Sequence, residues 1–188
     1  GIGSFRKLLY ASSTFYVVTS GGGIYTTTDG STYTLRQFGT LDDIVTDGTN
    51  FIATVPGSQD IYTSTNGNVW TLRSGVLPAG WTLGSSRLLY GNATWVISNS
   101  SGEIQTSANN GTTWTYRSVP MGNNIYNIQF ANGLFFANTG TGIYTSTDAI
   151  TWTLRSSLLT STATTQAYSK GGYNNGIYWM ANYGDTTS

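Results

Sequence analysis

The chain of 188 residues contains no cysteine and no histidine. Without thiols, disulfide bonds, thiolate nucleophiles and zinc–thiolate sites are excluded. Without imidazole side chains, histidine acid–base chemistry and histidine-ligated metal centres are excluded too. We therefore expect neither a cofactor nor a bound metal.

Charge is also scarce, because only 9% of the residues are charged and eight basic residues balance eight acidic ones. A nucleic-acid-binding protein would show a basic face or stripe. No apolar run approaches the ~18 residues of a membrane-spanning helix. We expect no nucleic-acid partner and no insertion into a membrane.

What remains is rich in residues that form turns and strands. Glycine contributes 24 residues and aromatic side chains make up 14% of the chain. Aromatic and β-branched residues favour strands, and this aromatic content is enough to build a core. The composition predicts an all-β protein with many turns.

Four segments of the chain share one pattern. Each repeated segment begins with isoleucine, continues with a threonine-rich strand and a turn, and ends at an arginine: Arg36, Arg73, Arg117 or Arg155. The intervals between these arginines are 37, 44 and 38 residues. A period near ~40 residues is typical of a four-stranded propeller blade.

The repeats predict an all-β propeller of four-stranded antiparallel blades, with four full repeats and half of a fifth. The approximate units are 5–40, 41–78, 85–120, 124–158 and, as a partial unit, 165–188. In the partial unit, 166–168 and 176–182 match the first two strands. The chain begins with glycine and ends where the next repeated segment is expected, which predicts an excerpt of a longer polypeptide. A ring closed by residues beyond Ser188 is the favoured arrangement, and closure by another subunit is the alternative.

The turn within each repeated segment resembles the Asp-box, or BNR repeat, of sialidase-type propellers, whose pattern is Ser-x-Asp-x-Gly-x-Thr-Trp. Residues 107–114 fit this pattern with asparagine in place of aspartate, and the other three turns are one residue shorter. The resemblance implies a propeller whose boxes lie at the blade periphery, away from the channel where substrates bind. The structural box residues are Asp29, Gly30, Tyr33, Asn66, Gly67, Trp70, Asn109, Gly111, Trp114, Asp148 and Trp152.

The chemistry of these turns is structural. An aspartate or asparagine side chain accepts hydrogen bonds from nearby backbone N–H groups, and glycine adopts a positive φ without steric cost. The following aromatic ring can fold over its hairpin. Asp148 is followed by Ala149 instead of glycine, so we expect a different geometry in that turn. Each turn offers a single carboxylate or amide, whereas calcium requires six to eight oxygen ligands.

Catalysis is not expected. A sialidase needs three converging arginines, a Tyr–Glu pair and an aspartate, but here four of the arginines occupy the same repeat position in different blades. The single glutamate, Glu103, lies in a turn position. Asp42 and Asp43 are adjacent, so in a strand they would point to opposite faces. The alternative is a fragment of a sialidase-like glycoside hydrolase.

The sequence therefore favours a non-catalytic binding or structural module. Its composition is similar to that of phage tail-fibre, spike and virion-decoration proteins and of bacterial surface repeats, which predicts a virion or extracellular location. The expected partners are a cell-surface glycan or protein receptor, other virion subunits, or further blades of the same chain.

Four residues are candidates for ligand binding. Trp81 lies in an insertion that does not align with the repeats, and such loops often carry recognition. The alternative is that Trp81 packs against an adjacent blade. The second, weaker candidates are Tyr168, Lys170 and Tyr173, which flank flexible glycines.

Overall fold

The computed structural model describes residues 4–78, 81, 87–99, 101–121, 125–156, 170–174 and 177–181. These residues form 18 β-strands and no helix. Consequently, nothing in this described part of the chain could cross a membrane as a helix.

The strands form four four-stranded antiparallel sheets and one two-stranded sheet, each in sequence order. Blade 1 contains β1 (Ser4–Ala11), β2 (Thr14–Ser20), β3 (Gly23–Thr27) and β4 (Thr34–Gln37). Blade 2 contains β5 (Ile44–Thr46), β6 (Phe51–Thr54), β7 (Ile61–Ser64) and β8 (Thr71–Arg73). Blade 3 contains β9 (Arg87–Gly91), β10 (Thr94–Ser98), β11 (Ile104–Ser107) and β12 (Thr115–Arg117). Blade 4 contains β13 (Ile125–Ala131), β14 (Leu134–Thr139), β15 (Gly142–Ser146) and β16 (Thr153–Ser156), and the fifth sheet contains β17 (Lys170–Asn174) and β18 (Ile177–Ala181).

The first strands of successive sheets are neighbours in space. Strand β1 lies beside β5, β5 beside β9, β9 beside β13, and β13 beside β17. Each sheet therefore runs from a first strand near a common axis to a fourth strand at the rim. This arrangement is a β-propeller with four full blades and a partial fifth, which confirms the predicted fold.

The first strand of the fifth sheet is Lys170–Asn174, in which Tyr173 pairs with Tyr178 across the hairpin. Residues 166–168, which the sequence matches to a first strand, lie outside the described residues. Tyr10 and Phe15 pair in the same way in blade 1, with the same five-residue offset. The register of a hairpin is set by the length of its turn. The shared offset therefore indicates that Lys170–Asn174 is the first strand of the fifth sheet.

The cores lie between consecutive blades. Successive side chains of a strand point to opposite faces of its sheet. In β10, Trp95 and Ile97 pack in the cluster shared with blade 2, whereas Val96 packs in the cluster shared with blade 4. The buried apolar clusters therefore hold each blade to its neighbours, as in other repeat proteins.

Candidate functional site

The turn between the third and fourth strands of each full blade, here named the 3–4 turn, has one repeated hydrogen-bond scheme. Its first residue is a threonine or serine whose hydroxyl donates to a side-chain oxygen two residues later. In blade 1, Thr27 Oγ1 lies 3.0 Å from Asp29 Oδ1, and in blade 4, Ser146 Oγ lies 2.8 Å from Asp148 Oδ1. Ser64 with Asn66 and Ser107 with Asn109 form the same pair in blades 2 and 3.

The carboxylates of the 3–4 turns also accept backbone hydrogen bonds. Asp29 Oδ1 accepts from the N–H groups of Thr32 and Ser31, at 2.8 and 2.9 Å. These two bonds, together with the Thr27 hydroxyl, hold the pKa of Asp29 well below its usual value. At Asp148, burial raises the pKa of the carboxyl. The hydrogen bonds from its backbone donors outweigh this effect, so the pKa of Asp148 is lowered as well.

The turn at Asp148 has the same hydrogen bonds as the turns at Asp29 and Asn66, contrary to the expectation from Ala149. Asp148 Oδ1 accepts from the N–H groups of Ile150 and Thr151, both at 2.8 Å. Ala149 has a φ of +59°, close to the +73° of Gly30. A positive φ costs alanine about 1–2 kcal/mol. The Ala149 side chain is fully buried in the cluster between blades 3 and 4, and this burial offsets part of the cost.

Three of the four 3–4 turns pack against the preceding blade. A Cβ atom added at Gly67 would meet the ring of Tyr16 in blade 1. One added at Gly111 would lie 2.8 Å from Ile52 Cδ1 in blade 2, and Ala149 already fills the corresponding place in blade 4. At Gly30 an added Cβ would meet nothing within 4 Å.

The aromatic residues of the 3–4 turns are structural too. The Tyr33 hydroxyl donates to the Gly30 carbonyl at 3.0 Å, and Trp70 Nε1 donates to the Gly67 carbonyl at 3.1 Å. The Trp70 ring also lies edge-on to Phe51, with centroids 6.2 Å apart. In blades 3 and 4, Trp114 packs against one inter-blade cluster and Trp152 is buried in another.

The four arginines that end the repeated segments are held by threonines on their own blades. Each arginine donates from Nε to a threonine Oγ1 of the third strand, ten or eleven residues earlier. The pairs are Arg36 with Thr26 at 2.8 Å, Arg73 with Thr63 at 3.3 Å, Arg117 with Thr106 at 2.8 Å and Arg155 with Thr145 at 2.7 Å. None of these arginines forms an ion pair with an acidic residue in the described part of the chain.

Three of these arginines line grooves between consecutive blades, here named the inter-blade grooves. Arg36 lines a groove of about 610 Å³ between blades 1 and 2, together with Asn66 and Asn68. Arg73 lines one of about 310 Å³ between blades 2 and 3, and Arg117 one of about 260 Å³ between blades 3 and 4. The remaining lining is mostly threonine, serine and asparagine, so the grooves present hydroxyl and amide groups.

The two adjacent aspartates lie near the common axis and are both ion-paired. They precede β5 instead of lying within it, so strict alternation of side chains does not apply to them. Asp42 lies 3.4 Å from Arg6, and Asp43 lies 2.9 Å from Lys7. Burial raises the pKa of Asp42, while the charge of Arg6 opposes that shift.

No set of metal ligands forms among the described residues. No three or more acidic side chains in these ranges gather where they could hold an ion. Glu103 is half-buried in the turn before β11 and accepts a hydrogen bond from Asn99 Nδ2 at 2.6 Å.

Trp81 is not an exposed aromatic platform. It is only 4% exposed, and it packs with Leu77, Leu88 and Trp95 in the cluster between blades 2 and 3. The indole of Trp81 therefore lies in the core, which matches the alternative in which Trp81 packs against a blade. Ligand binding at Trp81 remains an untested prediction for which the ring offers no open face.

The other ligand-binding candidates are placed only in part. Tyr168 lies outside the described residues. Lys170 and Tyr173 lie in β17, where the backbone alone is described. Their role in binding stays a prediction.

No protein-family model and no curated protein sequence matches the chain. The solved structures described next are under 25% identical to the chain, and they bear on the fold alone. The structure of YCF48 bound to D1 peptide matches with 17% identity and a TM-score of 0.70, over 97% of this chain and 64% of that one.

Two further structures show the breadth of the likeness. The Niastella koreensis GH74 enzyme matches with 21% identity and a TM-score of 0.55, over 80% of this chain and 24% of its own. PorZ, a surface component of the type-IX secretion system of Porphyromonas gingivalis, matches with 13% identity and a TM-score of 0.56, over 80% of this chain and 20% of its own. The chain thus spans less than two thirds of the length of each of these proteins, and what it shares with them is the β-propeller fold.

Proposed function

We propose that this chain is a non-catalytic β-propeller module that binds a polar ligand through its inter-blade grooves. In this proposal the 3–4 turns are Asp-boxes of the sialidase-type superfamily. The module belongs to a virion or cell-surface protein, and its ligand is a glycan or a protein receptor at a surface.

The observation that carries the proposal is the separation of the four arginines that end the repeated segments. They are here named the rim arginines: Arg36, Arg73, Arg117 and Arg155. Each guanidinium is tied through Nε to a threonine of its own blade, and Arg36, Arg73 and Arg117 line three different grooves. A sialidase-like centre requires arginines that converge on one carboxylate. Arginines distributed along the rim instead suit recognition of a ligand that extends across several blades.

The chemistry of the grooves favours a hydroxyl-rich ligand. Threonine and serine hydroxyls and asparagine amides can each both donate and accept hydrogen bonds. The groove volumes of about 260 to 610 Å³ are near the range of small-molecule sites. Sugar residues present hydroxyls of matching character and size. That YCF48 has been solved with a bound peptide supports protein receptors as the alternative ligand class for this fold.

The acidic groups near the axis support the absence of catalysis. Glycoside hydrolysis uses two carboxyl groups about 5–9 Å apart, one of which protonates the leaving group. Asp42 and Asp43 are instead both engaged by cations of β1. This leaves neither carboxylate free to act as nucleophile or base without breaking an ion pair.

The proposal is tested on an array of immobilised neutral and acidic glycans, with an assay of chromogenic glycosides run in parallel. We expect glycan binding that weakens in Arg73→Gln, and no hydrolysis. Arg6→Gln is the matched control, because Arg6 is an exposed arginine outside the grooves. Hydrolysis, or glycan binding that is unchanged in Arg73→Gln, would overturn the proposal.

A further inference from the structure

We propose that the ligand of the inter-blade grooves is an acidic polysaccharide, whose carboxylates meet the rim arginines of successive blades. This inference rests on the proposed function, because it requires that the grooves bind a ligand. It goes further by naming the charge and the polymeric character of that ligand.

The first step is the bonding of the arginines. Guanidinium carries five N–H donors, and the bond to threonine uses only the one on Nε. Among the described residues, no hydrogen bond or ion pair engages the Nη atoms of the four arginines. The threonine accepts one hydrogen bond from each guanidinium, and the remaining N–H groups match the fork geometry of a carboxylate.

The second step is the charge of the grooves. No acidic residue lines the groove of Arg73 or that of Arg117. In both, the 3–4 turn contributes Asn109, whose amide carries no charge. Asp29 lines the groove of Arg36, where its Oδ1 already accepts two backbone hydrogen bonds. The positive charge is therefore uncompensated in two of the three grooves.

The third step is periodicity. The arginines occupy the same repeat position in four successive blades, so one guanidinium recurs in each blade along the rim. A polymer with an anionic group on a regular repeat can engage several of these arginines at once. Each further contact is then intramolecular, so the affinity rises well above that of a single site.

The lining of the grooves distinguishes a polysaccharide from other polyanions. Single-stranded nucleic acids are bound by exposed aromatic side chains on which bases stack. The two aromatic residues in the groove linings, Tyr16 and Phe51, are 4% and 3% exposed and offer no such surface. Hot spots of protein–protein interfaces are apolar or aromatic anchors in well-packed pockets, whereas these linings are mainly hydroxyl and amide groups.

The experiment compares four probes on the intact chain by biolayer interferometry. Alginate is the carboxylated polysaccharide, dextran the neutral one, polyglutamate the acidic peptide and oligo(dT) the nucleic acid. The variants are Arg73→Gln, Arg117→Gln, the quadruple change of all four rim arginines, and Arg6→Gln as the control. Thermal melting of each variant confirms that it is folded, and Arg73→Lys tests whether charge alone is sufficient.

We expect alginate to bind more tightly than the other three probes. Each single rim substitution should weaken alginate binding about 3- to 10-fold, and the control by less than about twofold. The quadruple variant should lose at least about 100-fold, because the contacts are multivalent. Arg73→Lys should recover only part of the affinity, since lysine cannot make the bidentate contact.

Three results would overturn the inference. If dextran binds as tightly as alginate and the rim variants weaken both, the grooves bind glycans but do not select for charge. If polyglutamate or oligo(dT) binds most tightly, the ligand class is wrong. If the rim variants change binding of none of the probes, both the inference and the proposed function fail.

Discussion

The carboxylate of Asp43 in blade 2 accepts a hydrogen bond from the backbone N–H of Leu88 in blade 3, at 3.1 Å. Its other oxygen lies 2.9 Å from Lys7 Nζ in blade 1 and also accepts from its neighbour Ile44 N–H. One buried side chain thus joins the first strands of three successive blades.

Removing this carboxylate should destabilise the chain. In Asp43→Ala, the Leu88 N–H loses its acceptor in a buried place and Lys7 loses its partner. We expect the free energy of unfolding to fall by about 2–4 kcal/mol in urea denaturation. Asp43→Asn keeps an acceptor oxygen and should lose less. A loss below about 0.5 kcal/mol in Asp43→Ala, the size of an ordinary surface change, would show that Asp43 does not connect the blades.

Gly67 and Gly30 form a matched pair for testing how the 3–4 turns pack. Both have a positive φ, +69° and +73°. Gly30→Ala should cost about 1–2 kcal/mol, because only the backbone is strained. Gly67→Ala should cost about 2–4 kcal/mol, since the new methyl group also meets the Tyr16 ring of blade 1. Equal losses in the two variants would contradict the packing of this turn on the preceding blade.

Acid sensitivity should depend on the carboxylate of Asp29. Its pKa is lowered in the folded chain, so its contribution to stability is present above the unfolded pKa of about 4 and is lost as pH falls towards the folded value. Asp29→Asn keeps the acceptor oxygen without the titration. The unfolding free energy of the wild type should therefore fall more steeply below about pH 5 than that of Asp29→Asn.

The equivalent turn of blade 2 provides the reverse test. Asn66 accepts the same backbone bonds there with an amide oxygen. Asn66→Asp should add an acid-dependent loss that the wild-type turn lacks. Parallel pH profiles for the wild type, Asp29→Asn and Asn66→Asp would show that these hydrogen bonds do not favour the charged carboxylate.

Substitution of Trp81 should lower the stability of the fold and should not remove a contact to the ligand. Trp81→Ala removes a large side chain from the cluster between blades 2 and 3 and should cost about 3–5 kcal/mol. Trp81→Phe keeps most of the ring volume and should cost less. If Trp81→Ala leaves the melting temperature unchanged but abolishes glycan binding, the indole acts as a ligand platform, as the sequence first suggested.

Features that recur in every blade leave a periodic signal in the sequence, and features that occur once do not. The propeller follows from four turns and four arginines in register. The Arg–Thr bonds were missed, although a threonine precedes each arginine by ten or eleven residues, across an antiparallel hairpin. The same reasoning applies to the fifth sheet, where Tyr173 pairs with Tyr178 at the five-residue offset that separates Tyr10 from Phe15.

Two other differences come from packing between blades. Trp81 lies in an insertion with no counterpart in the other repeats, so no periodic pattern could show that its ring turns inward. Ala149 breaks the local preference for glycine, but its turn keeps the hydrogen bonds to Asp148 and buries the alanine methyl group. In both cases tertiary contacts outweigh the local signal.

The most direct test of ligand binding at the rim is hydrogen–deuterium exchange of the intact chain with and without alginate. Binding in the inter-blade grooves should protect the backbone amides of β8 and β12 and of the 3–4 turns at Asn66 and Asn109. The amides of the first strands, next to Arg6 and Asp43, should exchange at unchanged rates. Protection confined to the first strands would place the ligand at the axis and contradict binding at the rim.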